Sequence, residues 1–356
     1  MINRKIKRYV KVGDVTIGGN SPISIQSMTN TDTRNIEATS RQIEALANVG
    51  CDIARLAIVD LEAAEAVCSL KKQSRIPLVA DIHFDYRLAL ECIKNGIDKI
   101  RINPGNIGDR ERVKKVVFAA KERQIPIRIG INAGSLEREI LAKYGEPTPA
   151  AMVESAQKHI DILQEENFED IVISVKASDV LKTIEAYKLI SDKYDYPLHL
   201  GVTEAGTLYS GTIKNAVGIG TLLASGIGDT IRVSLTSDPT DEVIAGRKIL
   251  SSLGLYDENF NLISCPTCGR CRVNVIEVAS QLEKRLAEMG NKIKKGTNIA
   301  VMGCAVNGPG EAKEADIGIA GGNGEFLLFK KGIIAGKIQS DNAIETLIKE
   351  LEKDND

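Results

Sequence analysis

From residue 23 to residue 253, short and almost wholly apolar runs alternate with longer stretches whose apolar residues recur every three or four positions. The short runs predict strands over Ile23–Met28, Ile53–Ile58, Leu78–Ile82, Lys99–Ile102, Ile127–Ile131, Ile171–Val175, Leu198–Val202 and Thr230–Leu235. The longer stretches predict helices over Asn35–Asn48, Leu61–Lys72, Tyr86–Lys94, Arg110–Glu122, Ala150–Glu166, Asp179–Tyr194, Ser210–Ser225 and Asp241–Leu253. Ahead of them, Val10 to Ile25 reads as a hairpin, broken at Gly13-Asp14 and Gly18-Gly19-Asn20, leading into the first buried strand. Near-continuous apolar strands are expected where both faces of a sheet are covered. Eight strand–helix units in succession read as α/β, a (β/α)8 TIM-type barrel. A doubly wound open sheet is the alternative, but no glycine-rich dinucleotide loop follows the first strand. The glycines of Gly218–Gly228 are no P-loop, because no Gly-Lys-Ser/Thr follows.

A polar connection, Gly254 to Asn261, ends this pattern. The expected division is a barrel over 1–254 and a second domain over 262–356. The second domain carries a helix Val273–Met289, strands Asn298–Met302 and Asp316–Ala320, a hairpin Glu325–Ile338 turning at Lys330–Gly332, and a helix Ala343–Lys353. That is a small α+β unit whose terminal charge run is a solvated helix face.

Composition narrows the function classes. A net charge of −2 over 356 residues argues against a general nucleic-acid binder. With 4 % aromatic residues and no tryptophan, platforms for base stacking are not expected. The basic start Met1-Ile2-Asn3-Arg4-Lys5-Ile6-Lys7-Arg8 lacks the apolar core of a signal peptide, and no apolar run approaches a membrane span. Seven cysteines, an odd number, fit a reducing cytoplasm better than a disulfide framework.

In a barrel of this kind, functional groups gather at the C-terminal ends of the strands. Those ends carry Asn30 and Asp32, Arg55, Asp81 and His83, Arg101 and Asn103, Arg128 and Asn132, Lys176, Thr203 and Glu204, and Arg232 and Ser234. Any one of these alone is a solvated charge or a salt bridge. Four arginines and a lysine on one rim repel one another unless an anion fills the space between them. Guanidinium forks suit phosphate oxygens, so the rim predicts a site for a small phosphate or diphosphate. Asp81, His83 and Glu204 are the candidate proton carriers. Lys176 is alternatively a Schiff-base nucleophile, which would make the protein an aldolase with a structural metal. His159 and His199 read as structural, and Cys51, Cys68 and Cys92 as small core residues.

The other four cysteines lie in Cys265-Pro266-Thr267-Cys268-Gly269-Arg270-Cys271 and in Gly303-Cys304-Ala305-Val306-Asn307-Gly308-Pro309-Gly310-Glu311. A closed zinc site, a thioredoxin-like C-x-x-C and an iron–sulfur cluster all use such spacing. C-x-x-C-x-x-C favours the cluster, and it leaves Cys271 and Glu311 as competing candidates for the fourth ligand. An electron carrier with a barrel scaffold is a further class, against which the rim cations argue. Barrel helices run back from the functional rim, so the chain leaves the eighth helix at the far end. A cluster there would serve the rim of a second subunit, which predicts a head-to-tail homodimer with composite sites.

Taken together, CPTCGR, GCAVNGPGE and the barrel segments SMTNTDT, ARLAI, ADIHFD, RINPGN, RIGINAGS, VKASD, HLGVTEAG and IRVSLTSDP run in order along nearly the whole chain. In these segments the chain resembles the bacterial 4-hydroxy-3-methylbut-2-enyl diphosphate synthases in their two-domain form. The resemblance implies a (β/α)8 barrel followed by a small α+β domain holding a 4Fe–4S cluster. It implies reductive ring opening of 2-C-methyl-D-erythritol 2,4-cyclodiphosphate in the non-mevalonate isoprenoid pathway, with electrons from flavodoxin or ferredoxin. It implies Cys265, Cys268, Cys304 and Glu311 as cluster ligands, with Glu311 the exchangeable one and Cys271 outside the set. Asn307 matches the family's asparagine near the reacting oxygen. Arg55, Arg101, Arg128, Lys176, Arg232 and Ser234 match its diphosphate clamp. Asn103, Asn132, Asp81, His83 and Glu204 fall in its pocket motifs.

Overall fold

A computed structural model describes residues 2–289 and 292–353. The chain divides into two compact units, Met1–Tyr256 and Asp257–Asp356.

Unit 1 begins with an antiparallel hairpin, β1 (Tyr9–Val12) and β2 (Val15–Gly18). Eight parallel strands follow: β3 (Ser24–Met28), β4 (Ile53–Ile58), β5 (Leu78–Ile82), β6 (Lys99–Ile102), β7 (Ile127–Asn132), β8 (Ile171–Lys176), β9 (His199–Leu200) and β10 (Thr230–Ile231). Their order in the sheet is β8-β7-β6-β5-β4-β3-β10-β9, and a bridge from Ile173 to Leu198 brings β8 back to β9. The sheet is thus an all but closed barrel. Around it lie α1 (Ile36–Asn48), α2 (Leu61–Gln73), α3 (Tyr86–Lys94), α4 (Arg110–Glu122), α5 (Arg138–Tyr144), α6 (Pro149–Glu165), α7 (Val180–Lys193), α8 (Leu208–Ala224) and α9 (Pro239–Ser252).

The helix starts have a local cause. Asn35, Asp60, Asp85, Asp109, Thr148, Asp179 and Asp238 each accept a hydrogen bond from a backbone N–H of the first turn. Each such cap stabilises its helix by about 1 kcal/mol. Asn35 and Asp179, expected as first helical residues, are caps just outside. Three expectations need correction. Strands β9 and β10 are shorter than Leu198–Val202 and Thr230–Leu235, because the chain leaves the ladder where Gly201 passes close to the backbone of Arg232. Helix α5 was not expected at all. The strands are also not apolar on both faces.

Alternate strand residues such as Ala54, Leu56, Ala80, Ile100, Ile129, Ile173 and Leu200 pack outward into one apolar cluster with the helices. The residues between them face the lumen. Several of those are polar or charged: Ser24 and Gln26 on β3, Arg55 on β4, Asp81 on β5, Lys99 and Arg101 on β6, Arg128 on β7, Ser174 and Lys176 on β8, His199 on β9 and Thr230 on β10. At the N-terminal end, Val12 and Ile17 of the hairpin pack on Ile53 and Val79 and plug the barrel with apolar side chains.

Unit 2 is a five-stranded sheet in the order β11 (Phe260–Ser264), β12 (Thr297–Met302), β13 (Ile317–Gly321), β14 (Glu325–Lys330), β15 (Ile333–Gln339). The first three strands are parallel and the last three antiparallel, so β13 belongs to both sets. Its helices are α10 (Val275–Met289), α11 (Gly308–Glu314) and α12 (Ala343–Lys353). The β14–β15 turn falls at Lys331 and Gly332, both with positive φ, as a tight hairpin requires. Strand β11 corrects the expectation of a polar connection running to Asn261, because pairing with β12 draws Phe260 and Asn261 into the sheet.

Candidate functional site

The expected rim cations converge. Arg55, Arg101, Arg128, Lys176 and Arg232 line one cavity of about 130 Å³ with Asp81, His83, Asn132, Ser174, Thr203 and Ser234. Two lumen glycines make room for them. A Cβ on Gly130 would lie 2.4 Å from Arg101 Nε, and one on Gly201 would lie 2.5 Å from Lys176 Nζ.

Each cation is held differently. Arg101 donates to Asp81 at 3.2 Å and to the Gly130 carbonyl at 2.7 Å. It also meets His83 Nε2 at 2.9 Å. A guanidinium only donates, so His83 Nε2 accepts and Nδ1 carries the ring proton. Arg55 donates to the Met28 sulfur and stands 3.9 Å from Asp81, and burial pushes it down to about 10. Arg232 is clamped by Glu242 of α9, at 3.1 Å from Nε and 3.2 Å from Nη2. Lys176 and Arg128 are buried among the other cations, and burial first, then their neighbours' charge, holds both well below their ordinary pKa. Burial alone would raise Asp81. The charge of Arg55, the His83 side chain and the charges of Arg101 and Arg128 outweigh it and keep this carboxyl ionised far below the usual carboxylate range.

Five cations therefore share two close carboxylates, Asp81 and Glu242, and the surplus faces the cavity. Such an excess of buried positive charge favours an anion in the cavity.

Not every expected residue lines it. Asn103 accepts from the Gly130 N–H at 3.2 Å and so fixes the backbone beside Arg101. Glu204 is exposed next to Thr203 and adopts a left-handed φ of 53°. Asn30 bonds Gln42, and Asp32 bonds Arg34, which pulls it down to about 2. His159 is buried against Glu137 at 2.8 Å, a structural pair. Sequence reasoning missed Glu242, Met28 and Lys99. Glu242 had a signal: it falls on the core face of α9 with Val243, Gly246 and Ile249, where an unpaired carboxylate would be costly.

In unit 2, Cys265 accepts from the Gly303 N–H at 3.3 Å. A Cβ on Gly303 would lie 2.2 Å from the Cys271 sulfur and 3.3 Å from that of Cys265, so only glycine fits between these two thiols. The Cys304 thiol is lowered by the backbone N–H groups of Asn307, Val306 and Gly308, at the start of α11. Glu311 is exposed in the first turn of that short helix. Cys268 is exposed and Thr267 has a φ of 60°. Among the described residues no three His, Cys, Asp or Glu side chains are grouped as ligands of a single metal ion. A four-iron cluster is bulkier and attaches each ligand to a different iron. The thiols of Cys265, Cys268, Cys271 and Cys304, the Glu311 carboxylate and the amides that reach the Cys265 and Cys304 sulfurs are donors of the kind such a group takes.

The comparisons agree with this architecture. Residues 7–247 match the GcpE TIM-barrel domain and residues 261–353 the GcpE protein C-terminal domain. A protein of Ruminiclostridium cellulolyticum, named 4-hydroxy-3-methylbut-2-en-1-yl diphosphate synthase (flavodoxin), is 61% identical over 98% of both chains. Proteins of the same name from Caldanaerobacter subterraneus and Geobacter sulfurreducens are 62% and 58% identical, covering 98% and 97% of each chain. Among solved structures, dihydropteroate synthase from Xanthomonas albilineans matches 69% of this chain and 98% of its own, with a TM-score of 0.50 at 11% identity. That likeness concerns the barrel fold alone. No helix among the described residues is long and apolar enough to cross a membrane.

Proposed function

The chain belongs to the GcpE family of 4-hydroxy-3-methylbut-2-en-1-yl diphosphate synthases, and we propose that the cationic well of unit 1 holds the diphosphate of its substrate. The enzyme opens 2-C-methyl-D-erythritol 2,4-cyclodiphosphate reductively to (E)-4-hydroxy-3-methylbut-2-enyl diphosphate. Two electrons and two protons enter, the ring C–O bond breaks, and a hydroxyl leaves as water. The observation that carries the assignment is the convergence of Arg55, Arg101, Arg128, Lys176 and Arg232 on one cavity.

In this reading the five cations bind the two phosphates, and Ser234 and Asn132 add polar contacts. Asn103 and Gly130 set the backbone against which Arg101 is braced. Asp81 stays ionised and orients Arg55 and Arg101 rather than giving up a proton. His83 Nδ1–H at the mouth and the exposed carboxyl of Glu204 are the proton carriers. In unit 2, Cys265, Cys268, Cys304 and Glu311 are the proposed ligands of a 4Fe–4S cluster, and Asn307 is its proposed polar neighbour. When bound, that cluster supplies electrons and a Lewis-acidic iron. Cys271 stands beside Cys265 but outside the set.

The relatives' printed names specify flavodoxin, and a reduced flavodoxin is the proposed donor. Ferredoxin offers the same one-electron chemistry, and rates with each donor separate the two. All seven cysteines are free, which supports a reducing cytoplasm. Tyr209, Ile213 and Val217 form an exposed apolar stripe along α8, suited to a second copy of the chain. The proposed homodimer is head to tail with composite sites. Mixing an R128M chain with a C304S chain should then restore activity, and no recovery after proven subunit exchange would refute it.

The direct test uses anaerobic, cluster-loaded enzyme. Substrate and reductant should give the ring-opened diphosphate, and R128M should lose substrate binding while keeping the cluster absorbance. Undiminished binding by R128M would show that the well is not the diphosphate site.

A further inference from the structure

Beneath the well the lumen narrows to a second polar layer that the proposed chemistry leaves unused. Lys99 of β6 and His199 of β9 lie there, both fully buried at 0% exposure. Gln26 and Ser24 of β3 and Thr230 of β10 join them, with Ser24 and His199 each in register with Thr230. Lys99 Nζ, both ring nitrogens of His199, both amide atoms of Gln26 and the two hydroxyls have no hydrogen-bond partner. Val79 and Ile53, in register with Lys99 and Gln26, and Val12 and Ile17 of the hairpin close this end of the lumen with apolar side chains.

Consider what Lys99 faces. Arg101 is on its own strand, Asp81 on β5, Arg55 on β4, Arg128 on β7, Lys176 on β8, His199 on β9 and Arg232 on β10. The one carboxylate in that set, Asp81, is already engaged by Arg55 and Arg101. A charged ammonium here would be stripped of water, unpaired and repelled by its neighbours. Burial first, then Arg128 and Arg55, drives Lys99 well below the ordinary lysine range. Burial and the same cations keep His199 neutral. A dianion seated among Arg55, Arg101, Arg128, Lys176 and Arg232 offsets most of that field.

We propose that Lys99 is a proton acceptor coupled to the well: neutral while the well is empty, it takes one proton from solvent when the diphosphate binds, and so adds a cation beneath the ligand. This rests on the reading of the well as the diphosphate site. Lys99 is a positioning residue, acting on the substrate through the field and not by contact. The linkage has a definite sign. A group whose pKa rises on binding makes binding tighter at lower pH, over the window between its free and bound values.

The experiment is titration calorimetry of the oxidised holoenzyme with the cyclodiphosphate, without reductant, in buffers of different ionisation enthalpy. Each phosphorus of this ligand keeps a single, strongly acidic ionisable oxygen, so its charge is constant across neutral and mildly alkaline pH. Protons taken up therefore come to the protein. Lys176 lines the well and is lowered by the same causes, so it takes protons as well. The expected Lys99 share is the difference between wild type and K99M, approaching one proton per ligand, with affinity falling up to tenfold per pH unit for that share. K99M should lose the Lys99 share of the uptake and the corresponding pH dependence, while H199N keeps both. K99Q replaces K99M if the latter does not fold. Binding without uptake, equal uptake by K99M, or loss of uptake in H199N in place of K99M each overturns the inference. Failure of the ligand to bind at all overturns the reading of the well, and the inference with it.

Discussion

Replacing Glu242 by alanine tests whether the well is built by positioning or by charge alone. Glu242 accepts from the Ser27 hydroxyl at 2.8 Å, the Leu235 N–H at 3.1 Å, and Arg232 through both Nε and Nη2. Removing one member of a buried ion pair costs about 3–5 kcal/mol, because the other is left uncompensated. The Arg232 side chain keeps 16% exposure, towards the well, so partial resolvation places E242A near the lower end of that range. For a unit of this size about 3 kcal/mol corresponds to a fall in Tm of about 6–12 °C. E242Q keeps the shape and part of the bonding, and about 1–2 kcal/mol is expected. If Glu242 positions Arg232, E242A should bind cyclodiphosphate about tenfold more weakly, a loss of about 1.4 kcal/mol, with E242Q near wild type. Calorimetry and a thermal melt on the oxidised enzyme measure both. If loss of a negative charge is what matters, both variants bind more tightly. That outcome, or a Tm within about 2 °C of wild type for E242A, would refute the positioning argument.

Three other outcomes are expected. G130A should weaken cyclodiphosphate binding at least tenfold, because its Cβ would fall 2.4 Å from Arg101 Nε; unchanged affinity would mean Arg101 does not need its present place. Glu137 is held down to about 2, where burial would raise it but His159, its own backbone N–H and Ser155 prevail, so its contribution is present above the ordinary 4.5 and is lost as pH falls towards 2. Acid melts of wild type and H159A should therefore converge below about pH 2 and separate above about pH 4.5, and parallel curves would contradict this. C271S should retain the cluster absorbance and its EPR signal after anaerobic reconstitution; loss of the cluster would make Cys271 a ligand.

The barrel was legible because its outward strand faces are apolar, its helices amphipathic and its helix starts marked by Asx and Thr caps. The rim arginines were legible because they fall at the ends of those strands. The groups that hold those arginines in place were not. Glu242 reaches Arg232 from a helix, and Met28 offers a sulfur no pattern singles out as an arginine partner. The strands expected over Lys99–Ile102 and Ile127–Ile131 read as apolar and covered on both faces, yet Lys99, Arg101 and Arg128 project into the lumen. Periodicity distinguishes inside from outside only when one side is water, and here both are protein. Helix α11 escaped because it opens on Gly308-Pro309-Gly310, although proline at the first turn gives up no hydrogen bond. Strand β11 escaped because, as an edge strand, it is only half buried.

The hairpin plug has a kinetic corollary. With Val12, Ile17, Ile53 and Val79 sealing one end of the barrel, the well is a dead end with a single doorway. Product carries a diphosphate that suits the same cations, and it must depart before the next substrate can enter. Product and substrate thus exclude each other, so added product should raise the apparent KM and leave kcat untouched. At high turnover the escape of a tightly held diphosphate anion through that doorway, and not bond cleavage, becomes a natural place for the rate to be set.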